Sequence, residues 1–158
     1  MSSALQEAEG RRAAGPEAVN YRALAEFRFA LRKFLAFSEE AAADVGLTTQ
    51  QHQALLAIKG FSQTGALSIR DLAQRLLLRH HSVVELVDRL VKLRLVERLP
   101  DPADRRRVQV GLTEQGEHQL RILSAVHSRE LQAIGSSLST LLDAFARHTT
   151  SDDERPPA

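Results

Sequence analysis

From position 18 to Asp44 the apolar positions Leu24, Phe27, Leu31, Phe34 and Leu35, with Ser38, recur at helical steps, which puts them on one face of a helix. Phe29 and Phe37 widen that stripe, and a helix that is apolar on more than one side has a second partner. Gly46 ends the run. Thr48-Thr49-Gln50-Gln51 then matches a capping box, in which the Thr hydroxyl takes a backbone N–H and the Gln side chain reaches back. Leu55, Leu56, Ile58 and Phe61 form the apolar side of this second helix. The stretch SQTGA reads as a loop. Ser68 predicts the N-cap of a third, short helix, with Asp71 at its positive end. Leu67 and Leu72 are placed as a hydrophobic staple, and Leu72, Ala73 and Leu76 face inward. A fourth helix is expected from about His80 to Leu93, burying Val83, Leu86, Val87 and Leu90. Two short helices joined this tightly predict a helix-turn-helix.

The pattern then changes. Leu95 to Leu99 and Val108 to Leu112 flank Asp101-Pro102 and three consecutive arginines, Arg105, Arg106 and Arg107. In the second run Val108, Val110 and Leu112 point to one face, so the two runs predict a hairpin. A hairpin directly after a helix-turn-helix is a winged helix, with the wing at 98–112. Thr113 caps a last long helix. Its apolar positions Leu120, Leu123, His127, Leu131, Ile134, Leu138, Leu141 and Phe145 step by three or four residues, close to a seam for another helix. Gly135-Ser136-Ser137 predicts a kink or a split there.

The expected fold class is therefore mainly α with a small β-hairpin: a winged helix-turn-helix plus a helical dimerisation region. Residues 18–148 form one domain. Its parts are dimerisation helices at 18–45 and 113–148 and the winged helix-turn-helix at 48–112. Packing the first and last helices together, and against a second copy, would hide both apolar stripes. Leu24, Phe27, Leu31, Leu131, Ile134, Leu138, Leu141, Leu142 and Phe145 are the expected interface. Residues 1–17 read as a mobile arm and 149–158 as a disordered tail.

Composition narrows the function. The chain has 158 residues, 43 % hydrophobic, which supports a core and argues against disorder. The absence of cysteine excludes disulfides, thiolate metal sites and thiol redox chemistry. No apolar run is long enough to span a membrane, and MSSALQEAEGRR lacks the apolar core of a signal peptide. A soluble cytoplasmic protein is expected. The net charge is only +1, but between Arg70 and Val110 ten Lys/Arg face six Asp/Glu, while the rest carries eleven against fourteen. That local excess of four is the pattern of a footprint for a polyanion.

Three stretches then carry a resemblance. Asp101-Pro102-Ala103-Asp104-Arg105-Arg106-Arg107, followed by Leu112-Thr113-Glu114-Gln115-Gly116, resembles the wing of the multiple antibiotic resistance regulator (MarR) family, D-P-x-D-R-R and then L-T-x-x-G. Leu86-Val87-Asp88-Arg89-Leu90 is similar to the second half of that family's recognition helix. Leu67-Ser68-Ile69-Arg70-Asp71-Leu72-Ala73 is similar to the start of its helix-turn-helix. The match covers roughly Tyr21 to Phe145. It implies a homodimer that binds an inverted-repeat operator in double-stranded DNA and represses nearby genes until a small-molecule effector binds between the dimer body and the DNA-binding lobe. It also implies a nucleoid-associated protein of the bacterial or archaeal cytosol.

The resemblance places the minor-groove arginine at Arg106, oriented by Asp104 through a charge-assisted hydrogen bond, with Arg105 and Arg107 on phosphates. On the recognition helix the outward residues are His80, His81, Ser82, Val84, Glu85 and Arg89. Arg89 has an equal structural reading, paired with a carboxylate. Arg79 is poor cap chemistry and reads instead as a phosphate contact. Glu85 either accepts from a cytosine amine or neutralises Arg89 one turn on. Ser68, Ile69 and Arg70 sit at a helix N-terminus suited to phosphate, with Arg75 beside them. Arg70 reads equally well as a partner of Asp71. The histidines do not make a metal site. His118 with Glu114 is the best pair and is too little, while His127 on the apolar seam suits an interface, with sensitivity to pH or effector as a second role. No catalytic constellation, cofactor site or membrane contact is expected. The competing readings are a winged helix used for protein–protein contact, and a DNA-binding regulator that acts without a ligand.

Overall fold

The computed structural model describes residues 21–62 and 65–149. In chain order the elements are α1 (Tyr21–Asp44), α2 (Thr49–Phe61), β1 (Ala66–Ser68), α3 (Ile69–Leu76), α4 (His80–Lys92), β2 (Val96–Pro100), β3 (Val108–Leu112) and α5 (Glu114–Thr149). The expected arm at 1–17, and the tail beyond Thr149, lie outside the described residues. The described chain forms two compact units, one holding 21–32 and 133–149, the other Lys33–Gln132.

Local chemistry sets the helix starts. The Thr48 hydroxyl accepts from the Gln51 N–H at 3.2 Å, and the Gln51 side chain accepts from the Thr48 N–H at 2.9 Å. Both halves of the capping box are thus made. The Ser68 hydroxyl caps α3 by accepting from the Asp71 N–H at 3.1 Å. At the other end α3 stops at Leu77, which takes the left-handed conformation with φ 54° and so turns the chain into α4.

The larger unit is held by one apolar cluster. Leu55 and Ile58 of α2, Leu72 of α3, and Val83, Val87 and Leu90 of α4 are fully buried, together with Val110 of β3. Each such side chain contributes about 1.5–3 kcal/mol of burial. These contacts fix α3 against α4 and both against the sheet.

The sheet has three strands where the sequence suggested a two-stranded hairpin. The order is β1-β3-β2, antiparallel throughout. Ala66, Leu67 and Ser68 pair with Gly111, Val110 and Gln109, and Val96 to Pro100 pair with Leu112 to Val108. The end of the segment read as a loop is thus a strand. Leu67 is buried, and its N-terminal neighbours give no alternation to read. Val108 shares the face of Val110 by alternation but not its burial. It is 42 % exposed where Val110 is buried, because β1 ends opposite Gln109 and Val108 lies past it.

The final helix differs as well. α5 runs unbroken for 36 residues through Gly135-Ser136-Ser137, which corrects the expectation of a split there. One interior glycine costs only about 1 kcal/mol, too little to end a helix that continues on both sides. At its start Thr113, whose carbonyl accepts from the Glu117 N–H at 2.9 Å, makes three further bonds. Its hydroxyl accepts from the Gly116 N–H at 3.1 Å and donates to the Arg94 carbonyl at 2.6 Å, and its N–H donates to the Leu95 carbonyl at 3.1 Å. Gly116 packs on the Leu95 backbone so closely that a Cβ would strike the carbonyl.

Candidate nucleic-acid interface

Two carboxylates fold the loop between β2 and β3. Asp101 Oδ1 accepts from the Ala103 N–H at 2.8 Å and the Asp104 N–H at 3.4 Å. Asp104 Oδ1 accepts from the Arg106 N–H at 3.0 Å. Two backbone bonds close the base, Asp101 N–H to the Arg107 carbonyl at 3.0 Å and Arg107 N–H to the Asp104 carbonyl at 2.8 Å. The Ala103 N–H above all, then the Asp104 N–H, Gln109 and the charge of Arg107, hold the Asp101 carboxyl below its ordinary value.

This wiring corrects one expectation. Asp104 holds Arg106 through the backbone N–H, while its other oxygen lies 3.7 Å from Nε of Arg107. The reach is geometric: Arg107 stands three residues on and returns over the turn. Arg105, Arg106 and Arg107 are all exposed. Asp101, which with Pro102 is a turn signal in the sequence, is the residue that ties the turn together. Its sign in the sequence was Asp followed two residues later by a free N–H, the pattern of an Asx turn.

On α4, His80, His81, Glu85 and Arg89 are exposed, while Ser82 and Val84 are half-buried. Arg79 is the N-cap and makes no side-chain cap bond, which leaves its guanidinium outside the helix. No described ion pair joins Glu85 to Arg89. The carboxylate that does pair is Asp88, which accepts from Nη2 of Arg98 on β2 at 2.7 Å. This tie between α4 and the wing strand joins residues ten apart on different elements, and no local spacing rule announces it.

At the front of α3 the Ser68 hydroxyl, besides capping, donates to the Asp71 carboxylate at 2.6 Å. No described ion pair joins Arg70 to Asp71, and Arg70 is exposed. Ile69 packs against the core, so it contributes through its backbone. The Arg75 guanidinium lies over the Phe61 ring, 4.1 Å from its centre, which fixes it at the end of α2 rather than beside Arg70.

The fold gathers residues from four places around one cleft of about 610 Å³: Ser68 from the end of β1, Arg70 from α3, His80 from α4, and Asp101 and Arg107 from the wing. Two guanidinium groups and one imidazole thus line one cleft. A second cleft of about 440 Å³ lies among the end of α1, the start of α2, and α4, with Glu39, Gln51, Leu86 and Arg89 in its wall. Among the described residues no group of three His, Asp or Glu side chains is placed to hold a metal ion. No described helix is long and apolar enough to cross a membrane.

Comparison with known proteins agrees with this geometry. Residues 45–107 match the model of the MarR family. The chain is 32 % identical over 81 residues to YsmB of Bacillus subtilis, described as an uncharacterized HTH-type transcriptional regulator. That match takes in 51 % of this chain and 53 % of the relative, about half the relative's length. Among solved structures, RV1404 from Mycobacterium tuberculosis superposes with a TM-score of 0.65 at 26 % identity, covering 89 % of this chain and 99 % of that one. An S. aureus MepR mutant bound to an oligodeoxyribonucleotide gives 0.60 at 23 %, over 83 % and 93 % of the two chains. An E. coli MarR mutant complexed with operator DNA gives 0.59 at 21 %, over 78 % and 89 %. At these last identities the likeness is one of fold. With its fold shared, its wing turn and helix cap in place, and residues 45–107 matched, the chain has the winged helix-turn-helix fold and is similar, over that segment, to the MarR family.

Proposed function

We propose that this protein is a transcription regulator that binds double-stranded DNA as a homodimer. In this reading it represses from an inverted-repeat operator and is released by a small-molecule effector. The observation that carries the reading is the wing. Its turn is closed by Asp101 and Asp104 acting on backbone N–H groups, which leaves Arg105 and Arg106 exposed without a described ion pair. A preformed turn presents cations at little further entropic cost on binding. Arg106 enters the minor groove, and Arg105 and Arg107 neutralise phosphates. The exposed side of α4 (Arg79, His80, His81, Glu85, Arg89), with half-buried Ser82 and Val84, faces the major groove. Arg70 and the α3 backbone at Ser68 and Ile69 take phosphate. The MepR and MarR relatives were solved with DNA, which supports the same use here.

Homodimerisation is supported by apolar exposure on α1 and α5. Leu24, Leu31, Leu131 and Leu142 are between 42 % and 54 % exposed in the single chain, and large apolar surfaces of this kind mark interaction sites. Phe27, Ile134, Leu138 and Leu141 are half-buried and complete the surface. The Phe145 side chain lies outside the described residues. The effector is assigned to the 440 Å³ cleft beside Arg89, a volume within the roughly 300–1,000 Å³ usual for small-molecule sites.

The test is a titration of DNA fragments from around the protein's own gene across a salt series, with Arg106→Ala beside the wild type. The expected result is a steep loss of affinity with salt and a further loss of roughly 1–3 kcal/mol in the variant. Absence of DNA binding at low salt rejects the reading in favour of a protein-binding winged helix. Equal affinity of an intact Arg106→Ala dimer rejects the role of Arg106.

A further inference from the structure

Two histidines meet inside the larger unit, where the DNA-binding reading has no use for them. His52 on α2 is 3 % exposed, and its Nδ1 has no hydrogen-bond partner among the described residues. Its ring centre stands 4.7 Å from that of His127 on α5. His127 is fully engaged: Nδ1 donates to the Leu123 carbonyl at 2.7 Å, and Nε2 is 2.9 Å from the hydroxyl of buried Ser38 on α1. Phe34 and Phe37 of α1 close on the His127 ring edge to face, at 5.9 and 5.5 Å. The cluster therefore joins three helices through one ring pair.

The two imidazoles respond differently to a proton. A carbonyl only accepts, so His127 Nδ1 carries hydrogen. Its Nε2 accepts from Ser38 when neutral and donates to Ser38 when charged, since a hydroxyl serves both ways. His52 has no such partner at Nδ1. Burial first, and the neighbouring His127 second, hold its pKa below the ordinary 6.5. The other groups from the packed elements do not relieve it. Ser38, Phe34 and Phe37 of α1 carry no charge, and Gln51 of α2 is used by the Thr48 cap. Glu39 and Glu40 on α1 and Glu130 on α5 add nothing to the field at His52. A second proton on the pair would set two cations about 5 Å apart with no carboxylate between them, which is strongly unfavourable at low dielectric.

We propose that His52, His127 and Ser38 form a proton-operated latch that holds α2 against α1 and α5, and that acidification opens it and lowers affinity for DNA. The second clause rests on the DNA-binding reading. α2 carries α3 and α4 on its buried face, through Leu55 and Ile58. Once α2 is loosened, the helix-turn-helix must be reordered on binding, and that ordering weakens the complex. The sign follows from linkage. Between the ordinary histidine value and the lowered value in the fold, the unfolded chain binds more protons than the folded one. Stability is therefore complete above about pH 6.5 and falls as pH drops below it.

The experiment measures thermal unfolding of the DNA-free protein from pH 7.5 to 5.0, for the wild type, His52→Leu and His52→Gln. His52→Leu removes the titrating ring at an atom that makes no bond, and His52→Gln keeps a polar side chain should the first variant fold poorly. The wild-type midpoint should fall more steeply below pH 6.5 than that of either variant. Equal pH slopes in all three proteins overturn the latch. In the second arm, DNA affinity is compared between wild type and variant at pH 7.5 and 5.5. That ratio cancels any effect of pH on the DNA contacts that the two proteins share. Wild-type affinity should drop severalfold relative to the variant at pH 5.5. A latch seen in unfolding, with an unchanged ratio, overturns its coupling to DNA. No DNA affinity at any pH overturns the DNA-binding reading and the coupling, while the unfolding arm still decides the latch.

Discussion

Arg98 on β2 donates to the Asp88 carboxylate on α4 at 2.7 Å. One end of the bond is on the wing strand and the other on the helix assigned to the major groove. The two parts that would grip DNA are therefore set relative to each other by a side-chain contact as well as by the core beneath them.

Because both partners are partly solvated, at 36 % and 50 % exposure, the pair does little for stability. Arg98→Ala should cost less than about 1 kcal/mol in urea unfolding. DNA affinity should fall severalfold, since wing and helix lose a common frame. Asp88→Asn should match it, and the double variant should add little, as expected for residues acting on one contact. Additive losses would show that the two act independently.

Gly116 is the glycine of the L-T-x-x-G stretch, and its reason is steric. A Cβ there collides with the Leu95 carbonyl, the oxygen that accepts from Thr113. Gly116→Ala should destabilise by about 1–3 kcal/mol, the usual cost of overpacking, read as a lowered denaturant midpoint. Gly135→Ala, with open space around the site, should be neutral or stabilising.

Thr113 ties the start of α5 to the end of the α4–β2 turn through Arg94 and Leu95. Thr113→Ala should cost about 1 kcal/mol, the usual worth of an N-cap. Thr113→Ser keeps the hydroxyl and should recover most of that loss. Chemical unfolding of the three proteins side by side measures the difference.

The wing turn should soften in acid. The Ala103 N–H chiefly holds the Asp101 carboxyl below its ordinary 3.8. A depressed carboxyl contributes its stability above the unfolded value and loses it as pH falls through the folded one. The Ala103 amide signal should titrate with a midpoint below 3.8, and Asp101→Ala should loosen the turn already at neutral pH, seen as faster amide exchange at Ala103 and Asp104. A midpoint at or above 3.8 would show that the carboxylate is not bound in solution.

How much of this was legible depends on how far apart the partners stand. Thr48, Ser68 and Thr113 were readable as caps because each bonds a group three residues away. The helical stripes and the wing turn were readable for the same local reason. Strand β1 was not, because its partners at 109–111 lie more than forty residues on and three residues give no alternation. The arginines were visible as a group, but the choice of Arg107 as Asp104's partner came from the curl of the turn.

The sequence by itself determined the order of the five helices and the two wing strands, the caps at Thr48, Ser68 and Thr113, and the place of the basic turn, since propensity, capping and turn chemistry act within a few residues. Tertiary structure alone decided what distant residues do to one another. Ser38 meets His127 across 89 positions, Arg98 takes Asp88, and Arg75 lies on Phe61. Burial decided the rest: His52 is one more polar residue in the chain until three helices close around it.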